Sequence, residues 1–406
     1  MDNHGIPRVA RTARTEEQRQ RDIEKIRKYK ALEESIREKA ARGAYDDTDL
    51  FHLTTKLLRL NPEYYTIWNV RRRCLTSGFL SRPLAGSSPS KASPNTSPNT
   101  TTNTSYDVSS PSSSDAIPPN PNSPTTGKSG TTAETASDRV GSDADVLESE
   151  LAFTIPLLLE FPKCYWIWKY RNWLLEQAIV RLPRPVASKV WEAELALTSK
   201  MLVKDRRNFH AWGYRRSLVA RLESEALLGR SLAEDEFAYT DNMIKQDLSN
   251  FSAWHNRSRL MHRILDERKA DDKARAAFLE AEFGLIQDAL NVGPEDQSLW
   301  YYHRYLVSQV VGSDARPTIT PNLAIEDKVS YLEQEIEFIK DLLEDFADIK
   351  WPYEALVEYI AAMRKLQAEI GAGGEENDPS FWLAKLRQLD PMQRGRWDDI
   401  KVQLAT

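Results

Sequence analysis

Apolar positions recur in three- and four-residue steps along most of the chain, and the same short polar turn interrupts them at intervals. From Asp49 onward, Leu50, Leu53, Leu57 and Leu58 share one helical face, Asn61-Pro62 ends it, and a second, aromatic-rich helix starts before Trp68. That turn and helix start occur five times, as NPEYYTIWNVR ending at Arg71, FPKCYWIWKYR at Arg171, DRRNFHAWGYR at Arg215, DLSNFSAWHNR at Arg257 and GPEDQSLWYYH at His303. An aromatic lies three residues before the tryptophan in four copies (Tyr65, Tyr165, Phe209, Phe251), and Gln297 fills the place in the fifth. Glu150, Glu194, Glu236 and Glu282 each stand 18 residues before Trp168, Trp212, Trp254 and Trp300, with Leu50 in the glutamate place of the first copy.

A constant internal distance with variable outer spacing marks a repeated supersecondary unit. The tryptophans from Trp168 to Trp300 are 44, 42 and 46 residues apart, room for two helices and their loops, so the pattern predicts an all-α array of helical hairpins. Before the array, Thr15 to Ala41 predicts a charged helix with a narrow stripe of Ile23, Ile26, Tyr29 and Leu32. Trp68 and Trp168 are 100 residues apart because residues 83–145 are rich in Ser, Thr, Pro, Asn and Gly and hold too little apolar surface to offset chain entropy. The expected organisation is a flexible arm at 1–14, the first helix and repeat 1 at 15–82, a disordered insertion at 83–145, repeats 2 to 5 at 146–311, and a degenerate sixth repeat with capping helices at 323–406. In the sixth unit Tyr353 stands 18 residues after Glu335, where tryptophan is expected, and capping helices are expected around Asp390-Pro391.

Charge changes this picture little. The 55 basic and 60 acidic residues leave a net charge of −5, without the excess that would favour nucleic acid or an anionic membrane. Two cysteines, Cys74 and Cys164, sit in different repeats, which indicates neither a disulfide framework nor a zinc site. The first residues alternate basic and acidic, with no apolar core of a secretion signal, and no apolar stretch is long enough to span a membrane, so a soluble cytoplasmic protein is expected.

Candidate chemistry is sparse. No catalytic triad order, CxxC pair, HExxH, phosphate loop or dinucleotide fingerprint is present, and His255 and His262, seven apart, predict a shared helix face rather than a metal site. Trp68, Trp168, Trp212, Trp254 and Trp300 are expected to fill the space between helices, and the repeated glutamates with Arg71, Arg171, Arg215 and Arg257 to form structural ion pairs or caps. Lys163 stands apart, because Glu63, Arg207, Ser249 and Glu295 occupy its place elsewhere and the fold therefore does not require lysine there. A lysine at a helix start opposes the helix dipole and suits an anion such as diphosphate, although spacing alone does not decide this.

The five turns of the form P/D-x-x-[YFQ]-x-x-W-x-x-[RH] resemble the repeat of protein prenyltransferase alpha subunits, over nearly all of the chain outside 83–145. Within that family, HGIPRVARTARTEEQ, NFSAWHNRS, PEDQSLWYYHR and LDPMQRGRWDDI are most similar to the type II branch, the alpha subunit of Rab geranylgeranyltransferase. The resemblance implies a right-handed crescent of hairpins around a separate beta subunit that holds zinc and most of the lipid pocket, with no metal on this chain. It implies transfer of geranylgeranyl from geranylgeranyl diphosphate to C-terminal cysteines of a Rab GTPase presented by a Rab escort protein. Lys163 and Tyr165 match the family positions near the isoprenoid diphosphate, and Asn208, His210 and Asn250 match positions lining the same side. Phe209 stands where tyrosine is frequent, which removes a hydroxyl from that place, and His4 lies on the arm, where a disordered tail is the simpler reading than a metal contact. Two alternatives stay open: the alpha subunit of farnesyltransferase and type I geranylgeranyltransferase, and a non-catalytic helical scaffold, for which a 34-residue period would be expected.

Overall fold

Why fifteen helices form where they do is visible in how each begins and what it buries. The computed structural model describes residues 15–82, 136–312, 317–370 and 379–405, and among them there are fifteen α-helices and no strand. The arm at 1–14 and most of the predicted insertion lie outside the described residues. The chain divides into two units, 1–190 and 191–406, with helix α6 (Arg184–Lys204) contributing to both.

In the first unit, α1 (Glu16–Ala41) opens on a capping box in which the Gln18 amide donates to the Thr15 hydroxyl at 3.3 Å and the Thr15 amide to the Gln18 side chain at 3.1 Å. Its stripe is only partly covered: Ile36 is buried, while Ile23 and Ile26 are exposed. Repeat 1 is the hairpin of α2 (Thr48–Leu60) and α3 (Tyr65–Cys74), closed by a π-helical turn at Leu75–Phe79. Gly78 gives that turn room, since a Cβ there would lie 3.0 Å from Asp46 Cα, closer than ordinary contact. Repeat 2 pairs α4 (Ala136–Glu160) with α5 (Tyr165–Arg181). Helix α4 thus begins ten residues earlier than composition predicts. Asp143 explains part of the extension, being buried and accepting the Ser81 amide at 2.8 Å and the Ser81 hydroxyl, a contact far apart in sequence.

The second unit continues with α7 (Phe209–Leu222), then the hairpins of α8 (Ala233–Gln246) with α9 (Phe251–Glu267) and of α10 (Asp272–Val292) with α11 (Gln297–Val311). The sixth pair is α12 (Ile325–Asp345) with α13 (Lys350–Glu369), capped by α14 (Ser380–Leu389) and α15 (Arg394–Ala405). Trp397, 1% exposed, packs with Tyr353, Val357, Leu383 and Leu386 to close that end.

Each repeat tryptophan fixes its own turn. The indole N–H donates to the carbonyl six residues earlier: Trp68 to Pro62 at 2.8 Å, Trp168 to Pro162 at 2.9 Å, Trp212 to Arg206 at 2.8 Å, Trp254 to Leu248 at 2.8 Å and Trp300 to Pro294 at 2.7 Å. Tyr353 does the same work in the degenerate unit, its hydroxyl donating to Ala347 O at 3.0 Å. Each ring is buried and its polar atom is satisfied, which is the condition for a tryptophan to serve as core.

Successive hairpins are then joined by the predicted arginines and glutamates. Arg71 grips Glu150 of the next repeat through two bonds of 2.7 Å and donates to Thr54 and Thr55 of its own hairpin at 2.9 and 2.7 Å. Arg215 holds Glu236 at 2.8 and 2.6 Å, and Arg257 holds Glu282 at 2.8 and 2.7 Å. Arg171 donates to the Leu151 carbonyl at 2.6 Å and to Thr154 within its own hairpin. At the fifth copy His303 takes the arginine's place, its Nε2 2.8 Å from Glu335 and its Nδ1 2.6 Å from the Tyr359 hydroxyl. A tyrosine two residues after the tryptophan completes two of these joints, Tyr170 donating to Glu150 and Tyr302 to Glu282, both at 2.6 Å. Burial, followed by the adjacent carboxylate, pushes both phenols well above their ordinary range, so they stay protonated donors.

Two outcomes test this packing. Glu282→Ala strands a buried guanidinium and the Tyr302 hydroxyl and should cost about 3–5 kcal/mol in urea denaturation of the full chain, whereas Arg257→Met combined with Glu282→Leu should recover most of that loss. Burial raises both the Cys74 and Cys164 thiols to about 11. Thiolate is therefore scarce at neutral pH, and a chromogenic disulfide reagent should label neither cysteine in the folded chain and both in denaturant.

Candidate functional site

The turns between paired helices differ in how they close the second helix, and the difference sets repeats 1 and 2 apart from repeats 3 to 5. In repeats 3, 4 and 5 an Asn or Asp caps the helix start. Asn208 Oδ1 accepts the amides of His210 and Ala211 at 3.0 and 3.1 Å, Asn250 Oδ1 accepts the amide of Ala253 at 3.2 Å, and Asp296 accepts the amide of Ser298 at 2.8 Å. At α3 and α5 the capping residues are Tyr64 and Cys164, and neither side chain makes a cap hydrogen bond. The start of α5 therefore keeps partial positive charge without a side-chain acceptor from its cap, and Lys163 lies in that same turn with its side chain exposed.

Beside the lysine is an aromatic platform. Tyr165, 48% exposed, meets the edge of Trp166 with ring centres 5.2 Å apart, and Trp166 meets Tyr65 of repeat 1 at 5.3 Å. A cation, a helix start and an apolar aromatic surface in one turn suit a ligand with an anionic head and a hydrocarbon tail. Trp166 escapes a reading based on the repeat, because its neighbours in register are Thr66, His210, Ser252 and Ser298.

The other predicted residues lie in the second unit. Asn208 and Asn250 are 2% and 0% exposed, and the geometry gives both a capping role. The Asn250 amide nitrogen is buried without a hydrogen-bond partner. His210 is half-buried, its ring 4.0 Å from that of Phe209, which is largely exposed. The five repeat tryptophans and Arg71, Arg171, Arg215 and Arg257 are buried. No group of three or more His, Cys, Asp or Glu among the described residues is placed to hold a metal ion.

The positions Tyr65, Tyr165, Phe209 and Phe251, three before each tryptophan, are all exposed, at 53, 48, 65 and 55%. Their recurrence at one place of the hairpin was legible in sequence; their exposure was not.

Comparison with known proteins agrees with this geometry. The family described as the protein prenyltransferase alpha subunit repeat matches residues 47–78, 147–178, 191–222, 233–264 and 279–310, and every span holds its repeat tryptophan at the same internal place. The chain is 31% identical over 126 residues to the geranylgeranyl transferase type-2 subunit alpha of Schizosaccharomyces pombe, covering 31% of this chain and 36% of that protein. It is 29% identical over 177 residues to the subunit of the same name from Candida albicans, covering 43% of this chain and 33% of that protein. Those two alignments span about a third of each relative, whereas the Dictyostelium discoideum subunit of that name aligns at 27% identity over 99% of this chain and 100% of its own length. Among solved structures, the Candida albicans protein geranylgeranyltransferase-I complexed with GGPP superposes with a TM-score of 0.54 at 17% identity, covering 98% of this chain and 93% of that one, a likeness of fold. Five repeats in register, locked by five buried indoles and joined by buried charges, place the chain in the protein prenyltransferase alpha-subunit family.

Proposed function

We propose that the chain is the alpha subunit of a geranylgeranyltransferase of type 2, active with a separate beta subunit. The observation that carries this reading is the end-to-end alignment with the Dictyostelium subunit of that name. In the proposed reaction, geranylgeranyl passes from its diphosphate to C-terminal cysteines of a Rab GTPase presented by an escort protein. Exposed aromatics in each unit, Tyr65 and Tyr165 in one and Phe209 and Phe251 in the other, support the beta subunit as a covering partner. Zinc is assigned to that partner, and a cytoplasmic setting goes with this reading.

Within the proposal, Lys163 contributes a positive charge to the departing diphosphate, and the uncapped start of α5 adds its amide dipoles to the same anion. Tyr165 offers a hydroxyl to the diphosphate and an aromatic edge to the first isoprene units. In the second unit Asn208 and Asn250 contribute by holding the starts of α7 and α9, and His210 follows Asn208 in the α7 cap. The solved neighbour is a type I enzyme, and because it shares the fold alone, the protein substrate must separate the two classes.

The test is co-purification with a candidate beta subunit followed by transfer of labelled geranylgeranyl. Escort-dependent labelling of a Rab protein is expected. Labelling of a CaaX peptide instead would assign the chain to the type I and farnesyl class, and a monomer that binds no beta subunit would leave only a scaffold. Lys163→Ala is expected to lower the single-turnover rate by about tenfold or more with assembly unchanged, and an unchanged rate would remove Lys163 from the reaction.

A further inference from the structure

A second surface, outside the Lys163 turn, lies between α9 and α11. A cavity of about 420 Å³ is lined there by Phe251, Trp254, His255, Ser258, Tyr301 and Tyr305, with Phe251 and Tyr301 each 55% exposed at its mouth. Tyr305 ties the two helices together from inside, donating to the Ser258 carbonyl at 2.9 Å. The groove continues along α9 past Arg259 to His262, whose Nε2 is 3.0 Å from the Gln309 side chain.

The charges at this groove are one-sided. His255 and Arg259 stand four residues apart on α9, on one face, and Arg216 of α7 reaches the same helix by donating to Asn256 Oδ1 at 3.2 Å. Burial and the neighbouring Arg259 hold the Arg216 guanidinium below its usual range. Burial, then Arg259 and Arg216, push the His255 imidazole down as well. Among the described residues, no carboxylate lies within ion-pair distance of any of the three. Elsewhere on α9 every arginine is matched: Arg257 holds Glu282, and Arg263 holds Glu223 and Glu267, all at 2.7 Å. Two mutually repelling guanidiniums, Arg216 and Arg259, beside a His255 held neutral and an aromatic cavity make a place whose repulsion a carboxylate would relieve.

A small anion would satisfy the charges and leave the aromatic mouth wet. A polypeptide carrying a carboxylate next to an apolar side chain satisfies both. We propose that this groove receives an acidic segment of the beta subunit, an Asp or Glu lying against Arg216 and Arg259 and a neighbouring aliphatic or aromatic side chain entering the cavity between Phe251 and Tyr301. The proposal rests on the heterodimer reading above and adds where on this chain one polar anchor of the assembly lies.

The experiment is titration of the full chain with the purified beta subunit, for the wild type, Arg259→Gln and the pair Arg216→Glu with Arg259→Glu, at low and high salt. The glutamate pair should weaken assembly by about tenfold or more, the glutamine variant by less, and wild-type affinity should fall with salt more steeply than that of either variant. Thermal unfolding of free Arg259→Gln should match or exceed the wild type, because it removes a repelling cation. The glutamate pair also loses the Arg216 bond to Asn256, so its assembly is compared well below its own unfolding transition, which separates lost docking from lost folding. Equal affinity in all three proteins would overturn the groove while leaving the heterodimer intact. So would phosphate or anionic vesicles that stabilise the wild type but not the glutamate pair while beta-subunit affinity stays the same, which would assign the cluster to a small anion or a lipid surface. A wild-type chain that binds no beta subunit would overturn the heterodimer reading, and the groove assignment with it.

Discussion

The buried guanidinium–carboxylate joint between one hairpin and the next is the interaction on which the array depends. A helical hairpin by itself cannot bury its apolar faces, so stability comes from stacking, and stacking needs a register. Arg71 with Glu150, Arg215 with Glu236 and Arg257 with Glu282 supply it, because a bidentate pair has one geometry and a mispaired charge in that place is costly. Apolar packing of the tryptophans supplies most of the burial but tolerates sliding. The charges do not. Each arginine is also covered by an aromatic face, Arg71 lying 3.9 Å from the Phe51 ring centre, Arg215 3.5 Å from Tyr239 and Arg257 3.8 Å from Phe237, which lowers the dielectric around the pair and strengthens it.

This construction leaves the start of each second helix free to vary. The indole-to-carbonyl bond holds the turn whatever residues precede the helix, so Lys163 and Cys164 can stand where other repeats have Arg207 and Asn208 or Ser249 and Asn250 without loss of the hairpin. Function of the proposed kind needs that freedom: a rigid, repeated frame with one turn whose cap is missing and whose cation is present. The same logic holds at the α9–α11 groove, where Tyr305 fixes the helices while Arg216, His255 and Arg259 are unconstrained by any carboxylate among the described residues.

The frame also accommodates change at its ends. His303 replaces arginine at the fifth joint and gains Tyr359 as a second partner, and Tyr353 replaces tryptophan in the sixth unit with the same reach of six residues back along the chain. Beyond it, Trp397 and the short helices α14 and α15 cover the last apolar face, as a repeat array requires where no further hairpin follows.

Sequence alone determined the repeat, its phase and the identity of the joint residues. Period and internal distance are one-dimensional quantities, and a residue that must meet the same neighbour in every hairpin recurs at the same offset, as Trp212 and Glu236 do. Tertiary structure alone decided which carboxylate each arginine holds: the partner of Arg71 is Glu150, 79 positions away across the insertion, and spacing cannot choose between a pair within a hairpin and one between hairpins. It also decided that Asn208 and Asn250 are buried caps, that the aromatics three before each tryptophan face outward, and that Arg216 of α7 joins two residues of α9. A helix start reads the same in sequence whether its first side chain points at protein or at solvent. Only the packing of neighbouring hairpins distinguishes the two.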